Sequence, residues 1–427
     1  MRLEYDFEVY IKELCKKIRN KDVHASLKLE ISDHLQTLKE EGLLAGLSEK
    51  EAIAQALTRM GDVKVLGKQL NKTHKAPMDI KTILPVMIAS LFGLIVMYYL
   101  QFHSTFAALQ NMKVFSKSLI FYLVGILLML SLSRFDYRKL LKFSKPLYVG
   151  TVFILLITVL FGVRVDGIPF LILGFANVNF IEITPFLLVI SCAGIFHSWN
   201  WNDSRKSWLG VGILAFPVLL LLTTSAIATS IICIIACTAI MFSSRASMKQ
   251  TVIFAATTSI WPIFHLWTLS QNYTWIDTEY IKNLGTSHFI GSSLHVTPNL
   301  ISEVHTDFIF TYIIYSFGWL AAVSAFVLLV FFICRIWSAA KGIHFSYGKM
   351  LVIGLAVTFA SQFILSILTN LGLSSLLGVA TPFMSFGGSH ILLEMIALGL
   401  ILSIFRRRKI AVKINGTENK SLGQNSR

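Results

Sequence analysis

Residues 381–404 read Thr-Pro-Phe-Met-Ser-Phe-Gly-Gly-Ser-His-Ile-Leu-Leu-Glu-Met-Ile-Ala-Leu-Gly-Leu-Ile-Leu-Ser-Ile. A turn rich in proline and glycine runs straight into an apolar stretch of membrane length. Backbone without regular hydrogen bonds is tolerated at membrane depth only where it is buried in protein or lines a cavity. Residues 382–389 therefore predict a built site rather than a plain anchor.

The rest of the chain agrees with a bilayer setting. It has 427 residues, 55% hydrophobic and only 14% charged. A soluble domain carries nearer a quarter charged residues, so a soluble globule is excluded. Ten apolar stretches begin near Ile83, Phe115, Leu147, Ile181, Trp208, Ala226, Val252, Phe308, Met350 and Phe383. Each is near the roughly 17 to 25 residues that cross a bilayer as a helix. The predicted fold is all-α: a polytopic membrane bundle of about ten transmembrane helices over 77–410, preceded by a small soluble helical domain over 1–76. A polar tail, 411–427, reads as disordered.

The net charge of +15 raises nucleic acid as a partner, but the placement of the basic residues gives a simpler account. Lys81, then Arg134 to Lys145, Arg205 and Lys206, Arg245 and Lys249, Arg335 to Lys349, and Arg406 to Lys409 fall in alternate loops. That is the inside-positive bias of membrane proteins; it places both termini in the cytoplasm and argues against nucleic acid. The longest remaining loop, about 270–306, then lies outside, and connections of that length are commonly functional. Five cysteines, Cys15, Cys192, Cys233, Cys237 and Cys334, show no disulfide or metal-ligand spacing and read as buried small hydrophobes.

The first 76 residues are rich in Lys and Glu and carry a helical stripe at Leu27, Ile31, Leu35 and Leu38. Ser48-Glu-Lys-Glu51 has the capping-box pattern, and Gly61-Asp62 reads as one helix stop and the next helix start. Roughly four short helices fit, and the segment resembles the prefix domain found ahead of some bacterial permeases. A folding module and a protein-interaction module both suit it.

A second informative segment is Glu303-Val-His-Thr-Asp307-Phe-Ile-Phe310, preceded by Pro298-Asn-Leu-Ile-Ser. Together with Gln362, Asn370-Leu-Gly372 and Pro382-Phe-Met-Ser385-Phe-Gly387-Gly388-Ser389, it resembles the FtsW, RodA and SpoVE proteins of shape, elongation, division and sporulation. The resemblance covers about residues 80–408. It implies a glycosyltransferase that polymerises lipid II, or a related undecaprenyl-linked precursor, into peptidoglycan at the outer face of the bacterial cytoplasmic membrane. It also implies a class B penicillin-binding transpeptidase as partner and Asp307 as the essential acid. No cofactor motif is present, and a divalent cation, Mg or Mn, enters only through the resemblance.

The residues can be read beside it. Inverting glycosyl transfer needs a base for the attacking hydroxyl and a stabilised leaving group. Asp307 stands where the outer loop meets an apolar run, and partial desolvation there raises a carboxylate toward a useful base. Thr306 or Asp307 would serve equally as a helix cap. Glu303, four residues earlier, would share a helical face with it, as a cation ligand, a like-charge neighbour or a solvated acid. His305 suits a phosphate donor or an interfacial ring. Ser385, Gly387, Gly388 and Ser389 offer small residues and free amides ahead of a helix, which fits either an anionic precursor or tight packing. His390 and Glu394 are polar groups inside a span, the latter either a functional-site candidate by that fact alone or simply the partner of His390.

Several family features are absent. The expected Gly-Ala-x-Arg-Trp and Pro-Ser-Glu-x-x-Lys segments correspond to Val165-Asp166-Gly167 and Glu182-Ile-Thr184-Pro185, and both the Arg-Trp and the Glu-Lys pair read as lost. Arg164, offset from the family position, fits either a cation for the precursor's phosphates or a plain loop residue. Thr223-Thr-Ser-Ala226 replaces an acid-bearing segment, and Tyr315-Ser316 stands where paired glutamates are usual. The departures keep a non-catalytic, precursor-binding or regulatory role open; a transporter or flippase finds less support, since intramembrane ionisable residues are few.

Overall fold

The computed structural model describes residues 4–18, 23–73, 79–103, 111–165, 167–174, 176–272, 289–290, 303–372 and 377–424. Most of the expected outer loop, 270–306, and Asp166 lie outside them. The chain divides into two compact units, Met1–Met78 with Arg406–Arg427, and Asp79–Phe405.

The first unit holds α1 (Glu4–Lys17), α2 (His24–Leu44), α3 (Glu49–Met60) and α4 (Val63–Thr73). Its core is the predicted stripe, Leu27, Ile31 and Leu35, with Leu14 and Ala56 closing on it and Leu38 at the margin. The capping box forms: Glu51 donates its amide to Ser48 Oγ, and Ser48 N–H donates to Glu51 Oε2 at 3.0 Å. Gly61 ends α3 at φ +86°, a conformation that favours glycine, and Asp62 Oδ1 accepts from Lys64 N–H at 2.8 Å.

The second unit follows the ten apolar stretches. Its helices are α5 (Ile80–Phe102), α6 (Val114–Arg134), α7 (Ser144–Phe161, entered by a 3-10 turn, Tyr137–Phe143), α8 (Phe180–Phe196), α9 (Ser204–Leu222), α10 (Ile227–Ser243), α11 (Met248–Asn272), α12 (Ile309–Phe317), α13 (Trp319–Ala340), α14 (Ser346–Asn370) and α15 (Gly388–Gln424). Among the described residues seven helical segments are long and apolar enough to cross a bilayer, and Phe180–Phe196 and Ile227–Ser243 are shorter apolar helices. Between α7 and α8 a small antiparallel meander, β1 (Val163–Val165), β2 (Ile168–Leu173) and β3 (Ala176–Val178), adds the described strands, which the all-α reading did not anticipate.

α8, α10 and α14 pack on one another, and the apolar parts of α14 and of Gly388–Arg407 in α15 are mostly buried. Glycines set the approach of α6 to α15: a Cβ at Gly125 would meet the Met395 side chain at 2.9 Å, and one at Gly399 would meet the Met129 backbone at 2.9 Å.

Three expectations need correction. The eighth stretch is not one helix from Phe308: it breaks at Gly318, whose φ of 86° and ψ of 172° are accessible essentially to glycine alone. The last helix continues to Gln424, through the segment read as a disordered tail. Cys334 is exposed, unlike the other four cysteines, which are buried and free.

Candidate functional site

The Asp307 segment is a tight turn rather than the first turn of a helix. Glu303 takes φ +55°, and its carbonyl accepts from the amides of Thr306, Asp307 and Phe308 at 3.1 to 3.2 Å. The N-cap of α12 is Phe308, which makes no side-chain cap, so neither Thr306 nor Asp307 plays the capping role. Among the described residues no donor reaches the Asp307 carboxylate, which remains available for chemistry.

Two neighbours hold this turn by its backbone. Asn370, at the end of α14, donates Nδ2–H to the Asp307 carbonyl at 2.7 Å and accepts the Thr311 amide on Oδ1 at 2.9 Å. It thereby grips the chain on both sides of the α12 start. Ser385 Oγ–H donates to the Thr306 carbonyl at 2.6 Å while accepting the Thr381 amide at 2.7 Å, and the Phe386 amide donates to the His305 carbonyl at 2.8 Å. The irregular segment 381–387 thus braces the turn that presents Asp307.

That segment is itself over-determined. Phe383 adopts φ +61°, costly for a bulky residue. Its amide donates to Glu394 Oε2 at 2.8 Å, and its carbonyl accepts from Tyr122 Oη–H at 2.7 Å. Its ring lies 5.2 Å from Phe359 and 5.3 Å from Phe332, at distances favourable for aromatic packing. Buried polar bonds and aromatic contacts together offset the strain.

Beside the turn lies a small cavity of about 30 Å³, room for about one water. Glu182, Pro185, Gln362, Gly378 and His390 contribute to its wall. Gly378 borders Asp307 directly, since a Cβ added there would stand 2.5 Å from Oδ2. Burial, reinforced by the charges of Glu182 and Glu303 and opposed by His390, pushes the Asp307 carboxyl up to about 7. That is the range in which a general base at neutral pH works well.

The other sequence candidates distribute as follows. Glu303 is 58% exposed on its side chain, close to the solvated reading, and accepts from Thr306 Oγ1–H at 3.1 Å. His305 is buried, with its ring 5.5 Å from Phe386; burial holds its imidazole below the usual range, the Glu303 charge pulling the other way. Arg164 lies exposed on β1, opposite Pro169. A Cβ on Gly388 would collide with the Phe121 ring at 2.3 Å, so this glycine permits close packing. Ser389 follows it in the first turn of α15. His390 stands 2.9 Å from Glu394 and 3.9 Å from Glu182.

Sequence reasoning missed Glu182, Asn370, Gln362 and Gly378. Glu182 is the acid half of the pair read as lost; it survives on the first turn of α8, its amide accepted by Asn179 Oδ1 at 3.4 Å, and only the basic position became Pro185. The Gln362 and Asn370 side chains were in view as part of the resemblance, without a task. Among the described residues no three His, Cys, Asp or Glu side chains form a group that could hold a metal ion.

The chain is similar to several known proteins in sequence and in fold. The chain is 25% identical over 368 residues to the "Probable peptidoglycan glycosyltransferase FtsW" of Trichlorobacter lovleyi, covering 79% of this chain and 95% of that protein. The same-named protein of Coxiella burnetii is 25% identical over 330 residues, 68% of this chain and 86% of that one. The fold is that of the rod shape determining protein RodA of Thermus thermophilus, with a TM-score of 0.61 at 16% identity over 78% of this chain and 97% of that one. A chain from a peptidoglycan synthase complex that coordinates polymerization and crosslinking gives a TM-score of 0.64 at 17% identity, over 78% and 98%. Residues 80–410, from the start of α5 to past the last span, match the profile of the cell cycle protein family FtsW/RodA/SpoVE, and the chain belongs to that family.

Proposed function

We propose that this protein is a peptidoglycan glycosyltransferase that polymerises lipid II at the outer face of the cytoplasmic membrane, with Asp307 as general base. The observation that carries the reading is the Asp307 carboxylate: uncapped, partly buried, fixed through its backbone by Asn370 and beside a cavity. In the proposed step a sugar hydroxyl of one precursor gives its proton to Asp307 as its oxygen attacks the anomeric carbon of another. The bond from that carbon to the diphosphate breaks, the configuration inverts, and the lipid diphosphate leaves with the bonding electrons. Removing a positioned base of this kind typically costs 10² to 10⁴-fold in rate.

The alternate basic loops support an orientation with both termini in the cytoplasm, which sets the Asp307 turn outside. A class B penicillin-binding transpeptidase is the proposed partner, by analogy with the synthase complex whose chain shares this fold. The α1–α4 unit, with its own core, is proposed as a cytoplasmic interaction module.

A second reading, a precursor-binding regulator, draws on specific substitutions: Pro185 where a cation is usual, and Tyr315-Ser316 where paired acids are. Incubating the purified full chain with lipid II, alone and with a class B transpeptidase, separates the two. Glycan strands support the enzyme; tight lipid II binding without strands under either condition supports the regulator.

A further inference from the structure

The cavity beside Asp307 carries a second polar assembly with no task in the chemistry above. Glu394 is 0% exposed two turns into α15, where a carboxylate is costly unless its oxygens are matched. Its Oε2 accepts the Phe383 amide at 2.8 Å, and its Oε1 lies 2.9 Å from His390 Nε2, one turn earlier on the same helix. Gln362 Nε2 meets that ring nitrogen from α14 at 3.1 Å. The two contacts are alternatives at one nitrogen: Nε2 accepts from the Gln362 amide when unprotonated and faces Glu394 as a cation when protonated. The other ring nitrogen, Nδ1, faces Glu182 Oε2 on α8 at 3.9 Å.

A protonated imidazole can pair with a carboxylate on each side, although at 3.9 Å the Glu182 contact is an ion pair and not a hydrogen bond. Glu182 has no such cation on its own helix: α8 contains no lysine, arginine or histidine, and the residue one turn on is Pro185. The Glu182 side chain is 43% exposed, and the cation it meets comes from another helix. His390 is the one that reaches it among the described residues, and Glu182, Gln362 and His390 all line the same cavity.

We propose that His390, locked by Glu394, is a positioning residue that aims the Glu182 carboxylate into the cavity beside Asp307, where it accepts hydrogen bonds from hydroxyl or amide donors of the precursor's sugars. This deepens the glycosyltransferase reading and rests on it. The clamp spans α8, α14 and α15, so it also ties the braced 381–387 segment to the wall opposite. Glu394 faces both ends: Oε2 accepts the Phe383 amide, and Oε1 stands 2.9 Å from His390 Nε2 as an ion-pair neighbour.

The test is a double-mutant cycle on the full-length protein, using His390→Gln, Glu182→Gln and the pair, read on two quantities: the initial rate of strand formation and the affinity for fluorescent lipid II. If His390 works through Glu182, His390→Gln lowers rate or affinity by about 10-fold in the native background and by less than about 2-fold beside Glu182→Gln. A purely structural role predicts that the losses multiply in the double variant, and that result overturns the proposal. Glu394→Gln is the second entry to the same clamp, for the case that His390→Gln does not fold, and the same coupling to Glu182→Gln is expected. Should the native chain form no strands, the glycosyltransferase reading falls on that control, while coupling in lipid II affinity still decides the clamp.

Discussion

Gly378→Ala perturbs the proposed base without touching it. The added methyl would stand 2.5 Å from Asp307 Oδ2 and 3.5 Å from its Cγ, where ordinary contact begins near 3.4 Å. Gly378 does not occupy a positive-φ conformation, so alanine is accommodated by the backbone and the strain falls on the carboxylate. The carboxylate must give way by about 0.9 Å, and a misplacement of about 1 Å is enough to cost about 10²-fold in rate. That loss equals about 2.7 kcal/mol of transition-state stabilisation. The assay is the initial rate of lipid II polymerisation by Gly378→Ala and native protein, with lipid II affinity and thermal stability measured on the same preparations. A loss near 10²-fold with stability unchanged is expected. A variant that polymerises at the native rate would refute the placement of Asp307 against Gly378 as the working geometry.

Further expectations follow from the same geometry. Since a base works as its ionised form, polymerisation should rise with pH through about 7, where burial and the neighbouring acids hold Asp307; Glu303→Gln, removing one raising charge, should move the midpoint of the profile to lower pH. Asn370→Ala should lower both thermal stability, by about 1 to 3 kcal/mol, and activity, because it strands the buried Thr311 amide and releases the Asp307 carbonyl; differential scanning fluorimetry and strand formation check the two effects. Ser48→Ala should cost the α1–α4 unit about 1 kcal/mol in denaturant titration, while leaving polymerisation by the full chain unchanged.

Much of this architecture was legible in the residues because membrane spans and local caps are local signals. The ten apolar stretches are helical, the eighth as two helices, and Ser48, Glu51 and Gly61 took their expected places, since each reading depends only on residues within a turn or two. The Asp307 turn was legible as a place but not as a conformation. Its shape is set by Glu303 at positive φ and by Asn370 and Ser385, distant in sequence by 63 and 79 residues from the carbonyls they bind. Glu182 was overlooked for a related reason. It was judged with the missing basic residue of its own segment, whereas its partner His390 comes from the last span, a pairing that no spacing rule contains. The break at Gly318 was hidden because a glycine in an apolar run is as compatible with helix packing as with a sharp stop.

The central claim is that Asp307 takes the proton in glycan polymerisation. The direct measurement is strand formation from lipid II by the native protein and by Asp307→Asn, with a class B transpeptidase present and lipid II binding measured in parallel. The account expects strands from the native chain and, with binding retained, a loss of 10²-fold or more in the variant. Strands at the native rate from Asp307→Asn would contradict it.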